Sequence, residues 1–594
     1  MIAYLRHTPN LISHLGARLR NVCRGGQCLL ANNQAESTII MSRHHRDKRE
    51  KSDAEPRHHK KSKRRRNKCR DVMMGILWSV FVNFVGIVHM LVDRLVEMVL
   101  ERVLPPKQVC PAIVSSDPTI ITKSATDLAR MIFERRAKSY AVVKAYIDRI
   151  NEVNGVLNAV IDGPFSEALD EARDIDRKIE NGEISDAEFS SKPFLGVPFT
   201  TKDSTAVKGK LHTLGLVSRR NTRADEDAEC VRLMKEAGAI IIATTSVPEV
   251  NKWIETRNLV IGNTNNPYDT RRSVGGSSGG EGALVAACGT AIGLGTDIGG
   301  SIRIPAFNCG IFGHKATTGT INMRGCTFRR GDEEETMVTA GPMTRNATDL
   351  LPIFKVLVGP KNAELLTLNE KVDVKKLKYY YIPQNNVLIS SPVSNEMKAT
   401  MEKTISHLSS ISGQNVQQVQ LSGLEYSGKL WMYWMTQEPA EFSKLIGNGV
   451  KPNPFIELAK KLFNKSQFTL AGIYGMINDF LPVGKPEKWK EITRQMEEEL
   501  DSILEDDGVL IFPSSPKTTP FHYYPLVKFG DFHYFSIFNV LKVPATQVPM
   551  GLSADGLPLG IQIISKRNND RYCLAVAEEL ERAFGGWVPP FPTK

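Results

Sequence analysis

Two Gly-Gly-Ser turns enclose an alanine-rich run between residues 275 and 301, in the stretch GGSSGGEGALVAACGTAIGLGTDIGGS. Its serines are candidate nucleophiles, and a serine hydroxyl attacks an acyl carbon at neutral pH only when a base takes its proton. Glycine this dense marks turns with φ > 0 or a backbone that something must approach closely. Four local patterns bear on the chemistry. A flexible Gly-Ser linker does not fit, because linkers are not followed by an uninterrupted helical pattern of alanine. A phosphate loop needs G-x-x-x-x-G-K-[ST], and no Lys-Ser or Lys-Thr follows these glycines. The nucleophile elbow G-x-S-x-G is matched by Gly275-Gly276-Ser277-Ser278-Gly279. That elbow needs a buried strand directly before it, and NPYDTRRSV is polar turn sequence. Ser514 to Lys517 matches S-x-x-K, yet Ser515-Pro516 beside Lys517 reads as a turn rather than the start of a helix.

The elements that must position these serines are those of an α/β chain. Apolar runs such as FLGVPFTT, AIIIAT, AIGLGT, GVLIFP and LGIQII alternate with helical stretches such as DAECVRLMKEAG and CLAVAEELERAF. The pattern predicts a mixed central sheet covered by helices on both faces. SATDLARMIFERRAKSYAVVKAYIDRINEVN predicts two helices, starting at Ser124 and Ser139. No repeat or long low-complexity linker divides residues 115–594, and one catalytic domain is the simplest expectation. Within it, residues 426–480 string together Trp431, Tyr433, Trp434, Phe442, Phe455, Phe463, Phe468, Tyr474 and Phe480. These aromatics are either core or an apolar substrate wall or membrane-facing cap.

The formal charge of +11 points to an acidic partner until it is divided along the chain. Residues 1–71 carry 18 Lys+Arg against 6 Asp+Glu, and the remainder 58 against 59. The folded part is therefore close to neutral, and a nucleic-acid reading of the whole protein loses its main support. The nine cysteines, odd in number and without a C-x-x-C pair, signal neither a disulfide framework nor a zinc site. After the basic tail, residues 72–92 read VMMGILWSVFVNFVGIVHMLV, without one Asp, Glu, Lys or Arg. That is about the length needed to cross a ~30 Å hydrocarbon layer, and it reads as a membrane-anchor helix. The continuation DRLVEMVLERVL is amphipathic and suits a helix lying in the interface instead. Eight basic residues from Lys60 to Arg70 precede the apolar segment, whereas the flank Asp93 to Lys107 is near neutral. If the segment spans, the positive-inside rule keeps the N-terminus cytoplasmic and puts the domain on the luminal side; the compartment expected is the endoplasmic reticulum or a lipid droplet. Arg6, Arg18, Arg20 and Arg24, with no acid in residues 1–35, give the alternative of a mitochondrial presequence.

The stretch from Gly275 to GIFGHK, preceded by FLGVPFTTKDS with Lys202, resembles the amidase signature family of serine hydrolases over about Ser115 to Lys594. The separations, 75 residues from Lys202 to Ser277 and 24 from Ser277 to Ser301, fit that family's Ser-Ser-Lys triad. Within the family the chain is most similar to the fatty-acid amide hydrolases, in particular their membrane-anchored second type, through GNTNNPYD, TDIGGSIRIPAF, GLPLGIQII and FGGWV. The resemblance implies Ser301 as nucleophile, Ser277 as proton relay and Lys202 as base, with a cis peptide bond between Gly276 and Ser277. It also implies an oxyanion hole from the N–H groups of Ile298, Gly299, Gly300 and Ser301, supported by Ser278, Thr296, Asp297 and Arg303. With no histidine placed as base, Lys202 is expected as the free amine, which burial favours, and His314 as structural. The implied reaction is hydrolysis of a lipid amide to fatty acid and amine through an acyl-enzyme, at a membrane, without metal, cofactor or nucleic acid. Self-association into a homo-oligomer stays open. Two competing readings are an amidotransferase A-type subunit acting on aminoacyl-tRNA, which shares the triad, and a catalytically silent membrane scaffold. The basic tail, the apolar segment and the aromatic insert speak against the first, and the intact triad against the second.

Overall fold

The computed structural model describes residues 85–592, apart from 87, 89, 332–335, 440–441 and 479–482. Eleven strands form one sheet: β1 (Val160–Asp162), β2 (Pro198–Lys202), β3 (Ile240–Thr245), β4 (Ile292–Asp297), β5 (Phe312–Lys315), β6 (Thr339–Thr344), β7 (Lys378–Tyr381), β8 (Gln417–Gln418), β9 (Gly508–Pro513), β10 (Ala545–Leu552) and β11 (Pro558–Ser565). Their spatial order is β1-β3-β2-β4-β6-β5-β10-β11-β9-β7-β8. The sheet is mixed, as expected. β3, β2 and β4 run parallel, and β4 pairs antiparallel with β6. Every residue of β2, β3 and β4 is buried, the pattern of parallel strands covered on both faces.

The helices that concern the site are α1 (Ala125–Phe133), α2 (Ser139–Leu157), α3 (Glu229–Glu236), α4 (Gly279–Ala286), α5 (Arg303–Asn308), α6 (Ser427–Met435), α7 (Phe442–Ile446), α8 (Pro454–Leu462), α9 (Leu470–Asn478), α10 (His533–Val540) and α11 (Asp570–Phe584). Ser124 caps α1 as anticipated, accepting from the Asp127 N–H. Ser139 differs from the expectation: it is the first helical residue of α2 rather than its cap, and its N–H donates to Asp176. A carboxylate from a distant helix thus satisfies an N-terminal amide that local sequence cannot. Val142, Tyr146, Ile150, Val153 and Leu157 then bury one face of α2, each contributing about 1.5–3 kcal/mol. Asn158, in the left-handed region at φ 50°, ends the helix.

Two expectations about the N-terminal region need restating. Most of the proposed membrane helix, residues 72–84 with 87 and 89, lies outside the described residues. Among the described residues, no helix is long and apolar enough to cross a membrane. The near-neutral flank after it is part of the fold: helical residues extend to 103, and Asp93 is buried in ion pairs with Lys517 and Lys528. The Cys110 N–H further on donates to the Pro267 carbonyl, so the folded unit starts before Ser115.

Candidate active site

Parallel pairing of β2 with β4, Thr200 opposite Gly293 and Thr201 opposite Leu294, brings the carboxyl ends of both strands to one place. Open α/β sheets bind ligands at such ends. Lys202 ends β2, and Thr296 and Asp297 end β4. The Lys202 ammonium nitrogen lies 2.9 Å from Ser277 Oγ and 2.8 Å from Thr296 Oγ1. Lys202 is wholly buried, and burial pulls its pKa down to about 7, partly opposed by Cys326, Asp297 and Glu281. A substantial fraction of this lysine is therefore a free amine at neutral pH.

Ser277 precedes α4, and the peptide bond joining it to Gly276 is cis. A Cβ on Gly276 would stand 2.6 Å from the Trp253 carbonyl, so only glycine fits this close approach. Ser301 follows β4 by four residues, and the two serine turns are tied together by the Ser278 N–H, which donates to the Ser301 carbonyl at 3.1 Å. The Ser278 carbonyl accepts from the Gly282 N–H at 3.0 Å. The Ser278 hydroxyl, expected to take part in hydrogen bonding, has no partner among the described residues.

Asp297 and Arg303 form an ion pair across the loop between β4 and α5. Both are fully buried, and all five guanidinium donors of Arg303 are used: on both Asp297 oxygens, the Phe535 carbonyl, Gln562 and Asn539. Burial alone would raise the Asp297 carboxyl, but the Arg303 charge and bonds hold it well below the usual carboxylate range. One of its acceptors alters the expected oxyanion hole. The Gly300 N–H is donated to Asp297 Oδ1 at 2.7 Å, so it is not available to a substrate oxygen, and the N–H groups of Ile298, Gly299 and Ser301 are the remaining candidates. Gly300 sits at φ +115°, and a Cβ there would lie 2.6 Å from Phe535 Cβ.

Ser277 and Ser301 face a cavity of about 400 Å³, whose apolar wall includes Trp253, Trp431, Phe442, Phe529 and Phe532. The aromatic segment therefore divides. Trp431 and Phe442 line the cavity and Tyr433 is core, whereas Phe455 and Phe463 are exposed on the outside and Phe480 lies outside the described residues. The other sequence patterns have structural roles. Ser514 of the S-x-x-K match bonds Gln547, while Lys517 pairs with Asp93. His314 is buried on β5 between Thr546 and Asp570.

Two participants were not legible. Glu281, on α4, is buried and accepts from Thr200 and Thr245 at 2.7 Å each. Burial pushes its carboxyl up to about 7 against those bonds and the Lys202 charge. Asn539, from α10, donates to the Asp297 carbonyl at 3.1 Å. Only the position of Glu281 inside the glycine-rich motif pointed to it; nothing local pointed to Asn539.

Residues 141–574 match the family described as Amidase, and the chain belongs to this amidase signature family. It is 39% identical to human fatty-acid amide hydrolase 2 over 497 residues, which cover 81% of this chain and 93% of that one. It is 40% identical to fatty-acid amide hydrolase 2-A of Danio rerio over 484 residues, covering 80% and 91%. A solved structure of a fatty acid amide hydrolase superposes with a TM-score of 0.65 at 21% identity, covering 80% of this chain and 87% of that one, which shows the shared fold. The protein is thus an amidase signature enzyme acting on amide C–N bonds.

Proposed function

We propose that the enzyme hydrolyses long-chain fatty-acid amides through an acyl-enzyme on Ser301. The observation that carries the reading is the fully buried Lys202 amine, 2.9 Å from Ser277 Oγ, beside a cavity that both serines face. Lys202, as the free amine, takes the Ser277 proton while Ser277 takes that of Ser301. Ser301 Oγ then bonds to the substrate carbonyl carbon, and the developing oxyanion accepts from the N–H groups of Ile298, Gly299 and Ser301. The proton held by Lys202 returns through Ser277 to the amide nitrogen as its bond to carbon breaks, and the amine leaves. Water, deprotonated by the same route, cleaves the ester to free fatty acid and restores Ser301.

The apolar wall and the likeness to fatty-acid amide hydrolases support a long acyl chain as the occupant of the cavity. Each buried CH₂ is worth ~0.8 kcal/mol, so kcat/KM should climb severalfold per methylene until the cavity is full. Comparing oleamide with acetamide tests this, and equal turnover would remove the reading. A fluorophosphonate probe should label the wild type and not Ser301→Ala.

We further infer that the enzyme works at a membrane. Leu91, Leu95 and Val103 on the N-terminal helix and Leu462 and Phe463 at the end of α8 are more than half exposed, an arrangement that suits apolar surroundings. A cytoplasmic N-terminus with a luminal domain is the topology that the basic flank favours. It predicts protease protection of the domain in intact microsomes, and full digestion there would contradict it.

A further inference from the structure

The loop from Asp297 to Ser301 is held by its carbonyl oxygens. The Asp297 carbonyl accepts from Asn539 Nδ2 at 3.1 Å, the Ile298 carbonyl from Trp431 Nε1 at 2.9 Å, and the Gly300 carbonyl from the Ile304 N–H at 2.7 Å. In a planar trans peptide the C=O of one residue and the N–H of the next point in opposite directions. Fixing those three carbonyls therefore fixes the directions of the N–H groups of Ile298, Gly299 and Ser301. These are the same three amides left once Gly300 has donated to Asp297.

Two of the three anchors come from next to the catalytic loop or from the Asn539 network around Arg303. The third comes from α6, in the aromatic segment that also walls the cavity. The indole is seated closely on the loop: a Cβ on Gly299 would lie 2.8 Å from Trp431 Nε1. Trp431 also makes an edge-on contact with Phe532, ring centroids 5.1 Å apart. The same side chain thus touches both the acyl cavity and the Ile298–Gly299 peptide.

We propose that Trp431 is a positioning residue for catalysis, its indole N–H aiming the Gly299 amide at the oxyanion. This rests on the reading of Ser301 as nucleophile. Removing one oxyanion donor outright costs about 10²–10³ in kcat, so loosening one should cost about tenfold to a hundredfold. A tryptophan that served only as apolar wall would act through the acyl chain alone.

Trp431→Phe, which keeps an aromatic ring and removes the donor, separates the two roles when assayed on butyramide and oleamide. Positioning predicts that kcat falls by about tenfold or more on both substrates. It also predicts slower labelling by a short fluorophosphonate, whose phosphoryl oxygen needs the same amides. Replacing Trp431 with benzothienylalanine, a sulfur isostere of equal size without the N–H, should reproduce the loss where the phenylalanine variant folds poorly. Unchanged kcat and labelling on short substrates, with only a raised KM for oleamide, would overturn the proposal and leave Ser301 untouched. Retained amidase activity in Ser301→Ala would instead remove the underlying reading, and this inference with it.

Discussion

Lys202→Met should abolish amide hydrolysis and yet stabilise the fold. The amine is wholly buried and its pKa falls from the ordinary 10.5 to about 7. At about 1.36 kcal/mol per pH unit, that fall corresponds to about 5 kcal/mol of destabilisation wherever the pH lies below 7. Between pH 7 and 10.5 the folded protein has released this proton and the unfolded chain has not, so the unfolded state binds more protons and stability rises with pH. Methionine fills nearly the same volume without the penalty. It also leaves Ser277 and Thr296 without their donor, which costs about 1–3 kcal/mol, so a net gain of about 2 kcal/mol should remain at pH 7. Denaturant unfolding of the detergent-solubilised proteins at pH 7 and pH 10 reads both terms. The variant should lead at pH 7 and fall slightly behind wild type at pH 10, where the lysine penalty has nearly gone. Equal destabilisation at both pH values would refute the reasoning, because it would mean that the site is built to hold an ammonium ion.

Three further outcomes follow from the same geometry. In the proposed mechanism the free amine is the working form of Lys202, so log(kcat/KM) should rise with pH at unit slope up to about 7 and then level; a profile flat from pH 5 to 9 would contradict this. Asp297→Asn leaves the Arg303 charge buried without its counter-ion, so unfolding free energy should drop by about 3–5 kcal/mol, whereas a change below 1 kcal/mol would show the pair to be dispensable. Glu249, buried just after β3, accepts from the Thr469 N–H at 2.9 Å and hydroxyl at 2.8 Å and so fastens the start of α9 beside the cavity. Glu249→Gln should raise KM for oleamide about tenfold with little change for butyramide, and an equal loss on both would make it a general packing residue.

How far the site was legible depended on how far apart its partners lie in the chain. The order of glycines and serines from Gly275 to Ser301 is local, and the strands that carry Lys202 and Thr296 announce themselves as apolar runs, so the lysine, both serines and the Asp297–Arg303 brace could be named. Contacts set by packing could not. Trp431 reaches Ile298 across 133 residues, and Glu249 reaches Thr469 across 220. An aromatic in an apolar run gives no sign that its N–H will hold the loop from Asp297 to Ser301. The same limit explains the details that changed. Asp297 was expected to brace the loop, but only the structure shows which amide it occupies, and that takes the Gly300 N–H out of the set proposed to bind the oxyanion. Asp93 likewise looks like the first residue after an anchor, and its burial depends on Lys517 and Lys528, more than 400 residues away.

The central claim is that Lys202 activates Ser301 through Ser277 and returns the proton to the leaving amine. An amine leaves only when protonated, whereas an activated alkoxide or phenoxide leaves without help, so losing the base should damage amide cleavage more than ester cleavage. The most direct measurement is kcat/KM of Lys202→Ala on oleamide and on a matched activated oleoyl ester, beside wild type. The account predicts a larger fractional loss on the amide, a similar failure in Lys202→Arg because a guanidinium keeps its proton, and loss of both activities in Ser301→Ala. Wild-type amide hydrolysis in Lys202→Ala would contradict it.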